Sequence, residues 1–128
     1  MLLIQVQIRP SYIDKGGLGI FTLDFIPKGT TIWTYRNPPD WREDVETWNF
    51  DDPDPKWENF RKRYAYKPSG KNYFEFPGDA ALFINHSFNP NLTGEDPMIA
   101  CRDIKKGEEI TANYLEFDQD PYSGGKLH

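Results

Sequence analysis

A seven-residue pattern occurs twice in this chain, once towards each end, and it constrains the fold more than any other feature. Ile26-Pro27-Lys28-Gly29-Thr30-Thr31-Ile32 and Ile104-Lys105-Lys106-Gly107-Glu108-Glu109-Ile110 both read I-x-K-G-x-x-I. Each has the form of a turn that feeds a strand. Two related β units flanking an insert explain the repetition. Turn chemistry common to unrelated segments explains it equally well, and residue types alone leave both open. A chain of 128 residues has room for one domain, so both copies belong to one core.

The segments around the two copies are β-like. Ile4, Val6 and Ile8 alternate with Gln5, Gln7 and Arg9, which predicts a strand with one buried face, ended by Pro10. Gly16-Gly17-Leu18-Gly19 predicts a turn into Ile20-Phe21-Thr22, and Thr30–Tyr35 supplies β-branched and aromatic residues for another strand. Beyond Pro68-Ser69-Gly70 the pattern returns in Tyr73–Phe76, Met98–Ile104 and Ile110–Tyr114. Between the two β regions lies an insert, residues 37–68, rich in proline and acid. Asp40 and Glu43 form a capping box, and Trp41, Val45 and Trp48 share one helical stripe, so a short helix is expected to begin at Asp40. Asp54 as cap and Pro55 at the first position, followed by Trp57, Phe60 and Tyr64, predict a second helix to Tyr66 with Arg61, Lys62 and Arg63 on its solvated face. The expectation is a mainly β domain over 1–118 with a short helical insert, and a tail over 119–128 that frays.

Charge and cysteine content exclude several classes. Fifteen Lys and Arg against twenty Asp and Glu give a net charge of −5, which argues against a protein held to nucleic acid by phosphate contacts and favours a cationic partner. The single Cys101 forms no intrachain disulfide, and with His86 and His128 it falls short of a four-ligand zinc site. There is no apolar run of about 18 residues and no basic-then-apolar leader, so a soluble, unsecreted protein of a reducing compartment is expected, with no membrane partner.

Chemistry concentrates after the apolar run Ala80–Ile84, in Asn85-His86-Ser87-Phe88-Asn89-Pro90-Asn91. A polar turn with a capping histidine accounts for these residue types. A binding site accounts also for their clustering at a buried-to-exposed transition, where amide and backbone groups meet a heteroaromatic ligand. Gly17-Leu18-Gly19 lacks the spacing of a dinucleotide fold; its functional use would be close backbone approach to a small ligand. Tyr114, in phase with Ile110 and Ala112, reads as a core tyrosine, and Cys101, in phase with Ile99, as a buried inert thiol.

Taken together and in this order, Gly17-Leu18-Gly19-Ile20-Phe21, Asn85–Asn91 and Gly107–Tyr114 resemble the SET-domain protein lysine methyltransferases, whose hallmarks are a G-x-G turn before a strand, an N-H-S-x-x-P-N loop and a G-E-E-[IL]-T-x-x-Y segment. The resemblance runs from Arg9 to Phe117, with the insert matching in position and not in sequence. It implies a β-clip-like SET fold in which the last strand passes beneath the N-H-S loop as a pseudoknot. It further implies S-adenosylmethionine as cofactor, contacted by Gly17, Leu18, Gly19, Asn85 and His86. Tyr114 would be the catalytic tyrosine, and Tyr73 and Phe117 would wall a channel for the substrate lysine. The partner would be a basic lysine-containing protein or peptide, such as a histone tail. The location would be cytoplasmic, or nuclear or host nuclear for a histone target; a homodimer is left open. Leu82 replaces the family's usual arginine before the loop, Phe88 its frequent cysteine, and Ala112 an often aromatic position, so the form resembled is a minimal, zinc-free one without the usual lid. A SET-like module that binds a basic peptide or S-adenosylmethionine without turnover is the alternative, and a β-rich interaction domain without ligand is a third reading.

Overall fold

The two copies of the repeated pattern lie against each other. In the computed structural model, which describes residues 1–44, 68 and 70–113, Ile26 and Ile104 exchange backbone hydrogen bonds of 2.8 Å in both directions. The flanking contacts repeat with the roles reversed. Gly29 N–H donates to Ala100 O and Gly107 N–H to Thr22 O, each at 2.8 Å. Ala100 N–H donates in turn to Thr30 O, and Thr22 N–H to Glu108 O. Gly29 and Gly107 take φ of 91° and 83°, a region that side chains disfavour, which is why each turn carries glycine at that place. The four isoleucines of the pattern, Ile26, Ile32, Ile104 and Ile110, are all buried. Each contributes about 1.5–3 kcal/mol by leaving water. The repetition therefore reflects two related β units joined backbone to backbone, not turn chemistry alone.

The elements are short. Strand β1 (Val6–Pro10) pairs antiparallel with β2 (Leu18–Thr22), from Val6 opposite Thr22 to Pro10 opposite Leu18. Strand β3 (Thr31–Trp33) pairs with β8 (Met98–Ala100), which also pairs with β7 (Leu92–Thr93). Strand β4 (Trp41–Asp44) pairs with β5 (Tyr73–Phe76), and β6 (Asn85–His86) runs parallel to β9 (Thr111–Ala112). A 3-10 helix, Ala80–Phe83, leads into β6; its cap, Asp79, accepts from Ala81 N–H at 3.0 Å. The architecture is mainly β. Ile20, Ile32, Trp33, Ile84, Leu92, Ile104 and Ile110 form its core, with Leu2, Ile4 and Val6 packed on the outside.

Several expectations change. The predicted buried face of β1 ends at Val6: Ile8, opposite the buried Ile20 at the middle of the pair, is 46% exposed, and Arg9 instead lies over the Phe21 ring at 4.1 Å. The helix expected from Asp40 is strand at its start. Asp40 is fully buried and caps nothing. Its Oδ2 accepts from the Met1 ammonium at 2.5 Å and Arg36 N–H at 3.0 Å, and its Oδ1 accepts from Gly78 N–H at 2.8 Å. The chain leaves this anchor extended, and Trp41 stacks on Phe76 with ring centroids 4.8 Å apart. Cross-strand packing thus overrides a local capping signature. The remainder of that helix, the second helix and the tail lie outside the described residues. The expected strand Met98–Ile104 stops at Ala100, and Cys101, just past it, is half-buried with its thiol on Pro90 O at 3.4 Å.

Candidate functional site

Two loops far apart in sequence meet beside the parallel β6–β9 pair. Asn85 stands opposite Thr111 and His86 opposite Ala112, and Ser87 N–H donates to Ala112 O at 2.9 Å. Asn91, at the other end of the same loop, is buried and grips the same segment. Its Nδ2 donates to Glu109 O at 2.7 Å and to Glu108 Oε2 at 2.9 Å, while its Oδ1 accepts from Thr111 N–H at 2.9 Å. The loop is thereby held across the final strand at both ends. The predicted neighbouring of the N-H-S segment and the last strand is present as far as Asn113. Tyr114 and Phe117 lie outside the described residues.

The glycine turn joins from the other side. Ser11 N–H donates to Gly17 O at 3.0 Å, closing the loop between β1 and β2. The Asn85 Nδ2 group donates to Leu18 O at 2.9 Å and lies 3.1 Å from both Ser11 Oγ and Glu109 Oε2. Gly17, Leu18, Gly19 and Asn85 are therefore brought together. A Cβ at Gly19 would lie 2.4 Å from Glu109 Oε2, and one at Gly17 2.1 Å from Asp14 Oδ2, so the absent side chains make room for the protein's own carboxylates. The Asn85 amide points its nitrogen inward, which leaves Oδ1 as the group offered to a ligand.

The imidazole of His86 packs edge-on against Phe88, ring centroids 4.4 Å apart, and burial holds its pKa below the usual histidine value. Tyr73 stands elsewhere. It lies on β5 with the Arg42 guanidinium 4.5 Å from its ring, and the same guanidinium is 3.6 Å from the ring of Tyr35 and 2.9 Å from Glu75 Oε1. The described contacts do not bring it to the Asn85 cluster. A groove of about 360 Å³ bounded by Leu3, Gln5, Asp24, Phe25 and Pro27 shares no residue with that cluster either. Among the described residues no three His, Cys, Asp or Glu side chains gather as metal ligands.

Sequence reasoning assigned no role to Ser11, Tyr12 or Glu109. Glu109 is 7% exposed, and its carboxylate accepts from Ser11 Oγ and Tyr12 N–H, each at 2.8 Å. The available signal was an acid set one residue before Ile110 in a strand otherwise buried on both faces. Period-two reading failed there because Ile110, Thr111 and Ala112 are all buried.

Comparison with known proteins gives a consistent picture. A search of curated proteins finds no match to this chain. A Plasmodium falciparum protein of known crystal structure, provisionally assigned as a histone methyltransferase, is 27% identical, with a TM-score of 0.58 over 88% of this chain and 95% of that one. The Chaetomium thermophilum Polycomb Repressive Complex 2, in an autoinhibited conformation bound to S-adenosylmethionine, gives a TM-score of 0.69 at 19% identity over 97% of this chain. A humanized mutant of that complex bound to the inhibitor GSK126 gives 0.64 at 19% identity over 93%. This chain spans only 16% and 15% of those two. The SET domain family model matches residues 17–115, from the glycine turn to the residue after Tyr114. With the turn, the N-H-S loop and the final strand meeting as that family requires, the chain belongs to the SET-domain family.

Proposed function

We propose that this protein transfers a methyl group from S-adenosylmethionine to the ε-amine of a lysine in a basic protein or peptide. The observation that carries the reading is the convergence of Leu18, Asn85 and Glu109 beside the parallel β6–β9 pair. Membership of the SET-domain family supports it, as does likeness to the Plasmodium protein. The residues present suit the cofactor. Exposed Tyr12, Ile13 and Leu18 offer apolar surface to its nucleoside, and the outward Oδ1 of Asn85 offers an acceptor to its amino groups. Gly17, Leu18, Gly19, Asn85 and His86 would hold it; bound, it supplies an electrophilic methyl group on a sulfonium.

The remaining work falls to the chain. A lysine ammonium has no lone pair, and with a pKa near ~10.4 few lysines are neutral at pH 7. An aromatic-walled channel, to which we assign Phe117, would desolvate the ammonium and lower that pKa; Tyr73, engaged by the Arg42 guanidinium, is left out of it. The Tyr114 hydroxyl would orient the neutral amine for in-line attack, an alignment worth up to about 7–11 kcal/mol in well-oriented systems. No covalent intermediate on the protein is required. The acids of the insert would attract a basic substrate, of which the histone tail is one class. Asp40 takes no part in this, because it is buried on the Met1 ammonium.

Incubation with S-adenosylmethionine and a lysine-rich peptide should add about 14 daltons per methyl, the mass of CH₂, read by mass spectrometry. Tyr114→Phe should lower turnover at least about a hundredfold with cofactor affinity retained. Cofactor binding without methylation of any basic peptide would move the reading to a non-catalytic module, and unchanged turnover in Tyr114→Phe would remove that residue from its role.

A further inference from the structure

The loop that carries the glycine turn, the N-H-S loop and the last motif segment meet on one buried carboxylate. Glu109 Oε2 accepts from Ser11 Oγ at 2.8 Å and Asn85 Nδ2 at 3.1 Å, and Oε1 accepts from Tyr12 N–H at 2.8 Å. Counting protons around Ser11 fixes the direction of these bonds. Its Oγ accepts from Ile13 N–H at 3.0 Å and Asp14 N–H at 2.8 Å. A hydroxyl has two lone pairs and one proton, so with both pairs occupied the proton points at Glu109. The two Asn85 Nδ2 protons are drawn to Leu18 O at 2.9 Å and to Glu109. Both Glu109 oxygens are acceptors in these bonds, so no donor around them can turn round without losing its partner. The Asn85 amide is thus locked with oxygen outward, and residues 11–19 are tied to the strand that ends at Ala112. Gly19 lets the carboxylate through: a methyl group there would meet Glu109 Cδ at 2.9 Å and Asn85 Nδ2 at 3.3 Å.

We propose that Glu109 is the positioning residue of the cofactor site: by accepting from Ser11, Tyr12 and Asn85 together, it sets which atom of Asn85 meets the cofactor and holds the glycine turn at the spacing that contact needs. It touches no reacting atom and acts through Asn85 and the turn. The proposal rests on the S-adenosylmethionine reading above.

Glu109→Gln keeps the shape but sets an NH₂ group against Ser11 and Asn85 or, flipped, against Tyr12 N–H, so donor faces donor in either orientation. In the full chain, S-adenosylmethionine Kd and KM should rise about tenfold or more, with kcat at saturating cofactor within about threefold. In ¹⁵N spectra the Asn85 side-chain amide pair and the Tyr12 backbone amide should both shift. Ser11→Ala removes one donor to Glu109 together with the acceptor of Ile13 N–H and Asp14 N–H; it should move the same signals and weaken cofactor binding about threefold. Asp96→Ala is the stability control. It loses bonds to Thr34 Oγ1 at 2.8 Å and Tyr35 N–H at 3.1 Å, and should lower the unfolding temperature with cofactor affinity unchanged. Wild-type affinity in both Glu109→Gln and Ser11→Ala, or an equal affinity loss in Asp96→Ala, overturns the proposal. Unmoved Asn85 and Tyr12 signals overturn it whatever binds. If those signals move but the unaltered protein binds no S-adenosylmethionine, Glu109 does position Asn85 and it is the cofactor reading that fails.

Discussion

Two buried carboxylates hold two parts of this molecule by different means. Glu75, 3% exposed, meets the charged Arg42 across the β4–β5 pair, and Arg42 lies between the rings of Tyr35 and Tyr73 with about a third of its side chain in solvent. Burial dominates there and raises the Glu75 pKa above the usual carboxylate value; the Arg42 hydrogen bond and charge oppose it without overcoming it. Glu109 is as deeply placed, but its described partners are neutral donors from Ser11, Tyr12 and Asn85. The first arrangement latches two neighbouring strands, and its cation can swing into water when released. The second joins segments from opposite ends of the chain through one backbone and two side-chain donors. Loss of the latch should stay local, whereas loss of the hub should reach the ligand.

The largest test of that contrast uses two glycines of one turn. Gly19→Ala drives a methyl group into the held Glu109 carboxylate, 2.4 Å from Oε2, with no exposed direction of retreat. Stability should fall by about 3 kcal/mol, read by urea unfolding, and cofactor binding should fail with it. Gly17→Ala meets the Asp14 carboxylate, 2.1 Å from Oδ2, on a half-exposed side chain of the loop between β1 and β2. It should cost about 1 kcal/mol. Equal losses would mean that Glu109 is no more rigid than a surface acid.

The hub was only half legible in the sequence, and the reason is physical. The repeated I-x-K-G-x-x-I pattern announced two turns, and its glycines and isoleucines behave as their residue types require. The motif residues Gly17, Gly19, Asn85 and Asn91 were likewise visible as types in an order. Their partners were not. Ser11 and Glu109 are 98 residues apart in sequence, and no local periodicity relates them. The same limit explains the misread helix start: Asp40 followed by Glu43 satisfies a local rule, yet Asp40 is taken by an ammonium at the far end of a different strand pairing, and Trp41 finds Phe76. Local propensity decides turns well, and it loses wherever a buried polar group has a distant partner.

Acid titration separates a latch from a bracing contact by sign. Glu75, raised in the fold, binds its proton sooner than in the unfolded chain. Its contribution is therefore full below the ordinary glutamate value and disappears as pH rises through its folded value. Glu108 is the reverse. Burial alone would raise it, but hydrogen bonds from Asn91, Arg102 and Lys105 N–H, with the Arg102 charge, hold it below the usual value. Its contribution is present above the ordinary glutamate value and is lost as pH falls through its folded one. Urea midpoints measured from neutral to acid pH should show the Glu75→Gln protein lacking a gain on mild acidification. The Glu108→Gln protein should be less stable at neutral pH and equal to wild type in acid, a difference of about 1 kcal/mol or less since Arg102 is 44% exposed. Matching profiles would erase the distinction.

The smallest effect concerns His86, which shares the loop of Asn85. Its pKa is lowered by burial, and the Phe88 ring, itself 77% exposed, stands edge-on 4.4 Å away. A histidine depressed in the fold stabilises above its ordinary value near ~6.5, and that contribution is lost as pH falls through the folded value. Phe88→Ala removes one wall of the pocket and admits water to the imidazole, so the His86 pKa should return towards the ordinary value while stability at neutral pH changes by about 0.5 kcal/mol or less. The NMR titration of the imidazole proton reads this directly. An unchanged pKa would place the desolvation with the other walls of the pocket, and loss of cofactor affinity in this variant would show that an exposed ring without hub contacts matters to the ligand as much as Glu109 does.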